Sequence, residues 1–321
     1  MAKAPRPGFS KTRLCPPLRP DQAAALSAAF LRDITDNILL AARQAPIAGY
    51  IAYAPAGQEA LFNGHLAAGT RLVLADGSPL MPPDVRGFGR CLLHAIMALL
   101  ARGHGSAVVL NADSPTLPTA LLVRTAEALG QDGDRVVLGP ADDGGYYLLG
   151  MKAAHAHLFA DIAWSTDSVA ETTRTRAAEL GLEVVELPTW YDVDDNAALI
   201  RLLNEMGMAH GHRREGVAHR PPSLVIPGVD PGIAASTGVC GDPRVKPGDD
   251  EGGGPCIHSP VYPDAPAYPD APAYTDAPPF PGAYAEVAKV GNALLPYAAP
   301  FTTLALARMG LRAQGVDLAA E

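Results

Sequence analysis

Residues 107–118, AVVLNADSPTLP, constrain this chain more than any other stretch. Four consecutive apolar residues, Ala107 to Leu110, are too few for a helix and too uniformly apolar for a strand with one wet face, so they predict a buried parallel strand. The run stops at Asp113 and turns at Ser114-Pro115 and Pro118. An aspartate at the carboxyl end of such a strand stands where open α/β sheets bind their ligands, which points to a metal or substrate role. An Asx-turn ahead of a proline explains the same residue without any ligand.

Similar short apolar runs recur along the chain, separated by helical periods. Leu26, Phe30, Ile34 and Ile38 recur every fourth residue and predict an amphipathic helix over residues 21–44, capped by Asp21 after Pro20. Strands are predicted at 47–53, 70–75, 135–138, 146–151 and 182–187. Helices are predicted at 89–101, 118–129, 168–180 and 196–206, with a weak one at 58–65. Ser165 or Thr166 is the expected cap of the helix at 168–180, and Asp194 or Asp195 that of the helix at 196–206. The alternation predicts a Rossmann-like α/β domain, with a mainly parallel sheet covered by helices on both faces.

Apolar periodicity ends near residue 206 of 321, and much of the total of 31 prolines and 32 glycines lies beyond it. The expected organisation is a transferase-sized domain over 1–206, a disordered low-complexity linker over 207–290 and a short helical segment within 291–321. Residues 225–251 resemble translated bacterial palindromic repeat elements. From Tyr262 the chain repeats YPDAPA with a six-residue period whose prolines forbid regular strand pairing. A net charge of -9 without any basic cluster argues against nucleic-acid binding. No apolar run approaches the roughly 20 residues of a membrane span. Cys15, Cys91, Cys240 and Cys256 lack metal-ligand spacing and read as reduced thiols of a cytoplasmic protein.

Two further stretches carry chemistry. In the amino-terminal loop, Gly8 is followed by Lys11 and Arg13, the ingredients of a pyrophosphate cradle, although the Walker A spacing is missing. A solvated basic terminus is the plainer reading. Between the strands at 135–138 and 146–151 lies Asp142-Asp143-Gly144-Gly145-Tyr146. One Asp-Gly pair suffices for a reversal, and a second adjacent carboxylate adds repulsion unless a cation is near. A magnesium or manganese ion between Asp113 and one of this pair is the sharper reading, and a polar hairpin tip the plainer one. Trp164 could line a pocket, and Asp192 or Asp194 could reach the same metal.

The series AKAPRPGFSKTRL, LNADSPTLP, LGPADDGGYYLLGM, IAWSTDSV and WYDVDD resembles a bacterial glycosyltransferase-like family of the arsenosugar-biosynthesis type, formerly a domain of unknown function. That family is similar to 2-phospho-lactate guanylyltransferases and other GT-A nucleotide-diphospho-sugar transferases. Five motifs in order, over residues 1–206, carry the resemblance. It implies a GT-A fold, with Gly8, Lys11, Arg13 and Arg90 on the nucleotide, Asp113 and Asp142 on magnesium or manganese, and Asp142 or Asp143 as catalytic base. Ser114, Gly144, Gly145, Tyr146, Trp164, Ser165 and Thr166 would border the substrate. The implied activity is metal-dependent glycosyl transfer from a nucleotide sugar to a small-molecule acceptor. The alternatives are nucleotidylyl transfer from a nucleoside triphosphate to a phosphorylated small molecule, and an inactive nucleotide-binding or interaction protein. The family carries apolar residues ahead of its AKAP motif as a first strand, so this chain is expected to open within or at the end of that strand. Residues 86–94, RGFGRCLLH, depart from the family's GDLGxR pattern, with Arg90 retaining a cation.

Overall fold

The computed structural model describes residues 1–206 and 294–309. In chain order the elements are α1 (Pro20–Ala41), β1 (Tyr50–Tyr53), β2 (Arg71–Leu74), α2 (Phe88–Leu100), β3 (Ala107–Leu110), α3 (Thr119–Gly130), β4 (Arg135–Pro140), β5 (Tyr146–Met151), α4 (Val169–Glu179), β6 (Glu183–Glu186), α5 (Asn196–Glu205) and α6 (Pro300–Arg308). The fold is α/β, as the alternation of apolar runs predicts. β1 and β2 pair in parallel, and the other four strands form a sheet in the order β3-β5-β4-β6. β5 runs against both of its neighbours while β6 is parallel to β4, so this sheet is mixed. The antiparallel step follows from the short link between β4 and β5, which allows a hairpin but no crossover.

Both faces of the sheet are covered. Val136 and Leu138 of β4 pack in one apolar cluster with Leu92, Leu93 and Ile96 of α2, whereas Val137 packs in another with Leu121, Leu122 and Leu129 of α3. This alternation along one strand is the period of a pleated sheet with two dry faces. Gly139 is required by close approach, since a Cβ there would lie 2.4 Å from the Tyr147 ring.

Two caps differ from expectation. Pro20 takes the first helical position of α1, so Arg19 is the cap residue and Asp21 sits in the first turn, 3.0 Å from the Arg19 guanidinium. α4 starts at Val169 after Ser168, and the Thr166 hydroxyl closes its own turn by donating to the Ala163 carbonyl at 2.7 Å. Asp195 does cap α5, accepting the Ala198 amide at 2.8 Å. No helix among the described residues is long and apolar enough to cross a membrane. The linker expected over 207–290 lies outside the described residues, as do residues 310–321.

α6 docks on α1 through a buried charge. Asp33 accepts the backbone N–H groups of Phe301 at 3.0 Å and Thr302 at 2.6 Å, satisfying two orphan donors at the start of α6. Burial pushes this carboxyl up to about 7, against the pull of those amides. The native state therefore holds the proton more tightly than the unfolded chain does. Asp33 contributes stability at acidic pH that is lost as pH rises through 7. Asp33→Asn should flatten this dependence: between about pH 5 and about pH 8, urea unfolding should show the variant losing roughly 1–2 kcal/mol less stability than the parent.

Candidate functional site

β3 ends at Leu110, and the turn after it is stapled to a segment far along the chain. The Ser114 hydroxyl donates to the Tyr191 carbonyl at 2.7 Å, and the Val193 amide donates to the Asp113 carbonyl at 2.9 Å. On its other side the same segment bonds the end of β4, with Trp190 N–H on the Pro140 carbonyl and Asp142 N–H on the Trp190 carbonyl. Asp192 and Asp194 alternate with the fully buried Val193 along it. The carboxyl ends of β3 and β4 are thereby drawn together with the Asp192–Asp194 stretch.

Lys11 enters this junction from the amino-terminal loop. Its ammonium lies 2.7 Å from Asp113 Oδ1, 2.7 Å from Asp194 Oδ1 and 2.8 Å from the Val193 carbonyl. The lysine side chain is 6% exposed, and the two carboxylates 34% and 45%. Burial alone would lower the pKa of the ammonium, but Asp113 and Asp194 outweigh it and hold Lys11 above the ordinary lysine range. The backbone at Lys11 is left-handed, with φ 52°, a conformation costly for a side-chain-bearing residue and retained only where its surroundings fix it. Asp192 carries the opposite strain. Burial, and then the neighbouring Asp194, Asp143 and Asp113, push its carboxyl up to about 6.

The Asp-Asp-Gly-Gly turn borders the same cluster. Asp143 accepts the Gly145 amide at 2.9 Å, closing an Asx-turn. Gly144 has φ +85°, and a Cβ there would stand 2.1 Å from the Asp167 carbonyl oxygen, so only glycine fits. Its own carbonyl accepts the Ala170 amide at 2.9 Å, which ties the turn to the start of α4. Asp142 points elsewhere, into an ion pair with Arg201 at the protein surface.

The remaining sequence-predicted residues divide. Gly8 and Arg13 are exposed on the loop that carries Lys11, and Arg13 has no partner among the described residues. Arg90 is used for structure: its guanidinium donates to the carbonyls of Gly77 and Pro79 and fixes the loop after β2. Trp164 packs edge-on against the half-exposed Phe88, ring centroids 5.5 Å apart, with its buried Nε1 unpartnered. The Tyr146 hydroxyl is also buried without a partner. Ser165 adopts φ 64° in the turn before α4.

A family model described as an uncharacterized protein conserved in bacteria (DUF2064) matches residues 38–166. A crystal structure from Desulfovibrio desulfuricans G20, named "putative nucleotide-diphospho-sugar transferase", is 28% identical, with a TM-score of 0.53, and covers 63% of this chain and 84% of its own. This chain is similar to the GT-A-like nucleotide-sugar transferase family. No curated protein matches it. The matched span of the family model holds Asp113 and the Asp-Asp-Gly-Gly turn, while Lys11 and Asp192–Asp194 lie outside it.

Asp192 and Asp194 are the residues whose part in the cluster sequence reasoning undervalued. Their spacing of two in an extended stretch places both on one side, and this was the available signal. Removing the ammonium while keeping an apolar stem, in Lys11→Met, leaves Asp113 and Asp194 crowded without a counter-charge. Thermal unfolding at low salt should show a loss of about 2 kcal/mol, less than for breaking a fully buried pair because both carboxylates keep some water.

Proposed function

We propose that the chain transfers a glycosyl group from a nucleotide-sugar donor to a small-molecule acceptor, with a divalent cation at Asp113. The observation that carries this reading is the convergence of Asp113, Asp192 and Asp194 around Lys11 at the carboxyl end of β3, where α/β sheets dock nucleotides. The similarity to the Desulfovibrio protein supports the donor class.

The donor set fits magnesium or manganese. All of its side-chain donors are hard carboxylate oxygens, and Asp113 and Asp194 already share one cation, the Lys11 ammonium. That composition suits a cation that takes one or two carboxylates and completes its shell with water and a diphosphate. Asp113 and either Asp192 or Asp194 would hold it, and it would supply charge neutralisation of the leaving diphosphate. Lys11, drawn off its two carboxylates, would donate to a diphosphate oxygen, and the exposed Arg13 to a second. Asp143 is the better base of the adjacent pair, because Arg201 engages Asp142. In the reaction the Asp143 carboxylate takes the proton of an acceptor hydroxyl as its oxygen bonds to the anomeric carbon. The bond from that carbon to the diphosphate breaks, and a nucleoside diphosphate leaves. Free Cys15 and Cys91 suit a reducing, cytoplasmic setting.

Two measurements test this reading. Added magnesium should recover much of the stability lost in Lys11→Met, since a dication then replaces the missing ammonium; no recovery would remove the cation from this cluster. In thermal-shift assays a nucleotide sugar with magnesium or manganese should stabilise the parent by about 2.7 kcal/mol at a hundredfold excess over Kd. Asp113→Ala should fold and lose that metal-dependent shift. Release of pyrophosphate from a nucleoside triphosphate would instead identify nucleotidylyl transfer, for which the same phosphate contacts serve. Nucleotide binding without cation dependence or turnover would leave an inert binding protein.

A further inference from the structure

Arg201 of α5 stands beside the turn that carries Asp143. Its guanidinium lies over the Tyr191 ring, with Cζ 3.8 Å from the ring centroid, and its Nη1 donates to the Asp142 carboxylate. The ring beneath it is fixed from several sides. Tyr191 is buried, its hydroxyl donates to Glu205 and accepts from the Thr116 hydroxyl at 3.3 Å, and its carbonyl accepts the Ser114 hydroxyl at 2.7 Å. Arg201 therefore rests on the same stretch that presents Asp192 and is stapled to the turn after Asp113.

This support exceeds what the ion pair requires. The Arg201 and Asp142 side chains are 52% and 48% exposed, and a pair so open to water contributes little to stability. One of the five guanidinium N–H groups is engaged, whereas Nε and Nη2 donate to no protein atom among the described residues. Resting the guanidinium on a fixed ring removes rotamer freedom before any ligand arrives. What stays open is a planar fork, which grips an oxyanion through two parallel hydrogen bonds. Asp142 fills one arm of that fork, and its half-exposed carboxylate can return to water when another anion takes its place.

We propose that Arg201 binds an oxyanion of the acceptor: the small molecule that receives the glycosyl group carries a carboxylate or phosphate, which displaces Asp142 from the guanidinium. This rests on the glycosyl-transfer reading, in which Asp143 takes the acceptor proton. Because Asp142 and Asp143 are adjacent, an anion held in place of the Asp142 carboxylate brings the rest of the acceptor alongside the base. Asp113, Asp143, Asp192 and Asp194 repel an anion, so the Arg201 fork decides how the acceptor is oriented as well as which acceptors enter. A neutral acceptor has nothing to exchange for Asp142.

The test uses the full chain and three probes built on one carbon skeleton: glycerol, glycerate and glycerol 3-phosphate, each with magnesium at constant ionic strength. Thermal shift reads their apparent affinities. At least one of the two anions should stabilise the parent while glycerol does not; glycerate alone identifies a carboxylate acceptor, and glycerol 3-phosphate alone a phosphate. Arg201→Gln should weaken that anion by about tenfold or more, the loss expected for a charge-assisted hydrogen bond. Arg201→Lys, which keeps the charge without the fork, should fall between the two. Arg102→Gln, at a residue ahead of the amino end of β3, should change nothing. Binding of neither anion would overturn the proposal, as would equal binding to the parent and to Arg201→Gln. The parent's shift with a nucleotide sugar and magnesium is read in parallel. A donor shift without an Arg201-dependent anion shift sinks the acceptor site alone, whereas loss of the donor shift itself sinks the glycosyl-transfer reading.

Discussion

The Lys11 ammonium meets Asp113, Asp194 and the Val193 carbonyl with almost no water around it. Those contacts join the amino-terminal loop, the turn after β3 and the stretch before α5, three segments that share no secondary structure. The contacts of the ammonium hold the loop at Lys11 in a left-handed backbone conformation. Without the ammonium, Asp113 and Asp194 would lie uncompensated beside Asp192, whose carboxyl is raised by burial and then by Asp194, Asp143 and Asp113. An ammonium on a flexible stem is a compact point charge that a phosphate can draw away. The same residue can therefore hold the cluster together before a donor arrives and contact the donor afterwards.

The strand and helix order was legible in the chain because each run keeps one period. Ala107–Leu110 and Tyr146–Met151 form where their apolar runs place them. The polar residues on the buried side of α1 were not legible. Asn37 donates to the Leu117 carbonyl at 2.7 Å and accepts from the Thr119 hydroxyl at 2.6 Å, and Thr35 accepts the Ala67 amide at 2.9 Å. Each satisfies a backbone or hydroxyl group far away in sequence, and no local pattern encodes a partner that only the tertiary fold supplies. The same reason hid the structural use of Arg90, which the family resemblance implies as a nucleotide contact and whose Nε and Nη2 donate to the carbonyls of Gly77 and Pro79.

Asp142 and Asp143 show how adjacent identical residues part company. The turn sends Asp143 back to the Gly145 amide and leaves it in the field of Asp192, while Asp142 pairs with Arg201 of α5. The choice depends on Gly144, whose left-handed backbone lets Asp167 approach and fixes which way each carboxylate faces. Composition records two acids and two glycines. Only the packing of the turn on the start of α4 separates their roles.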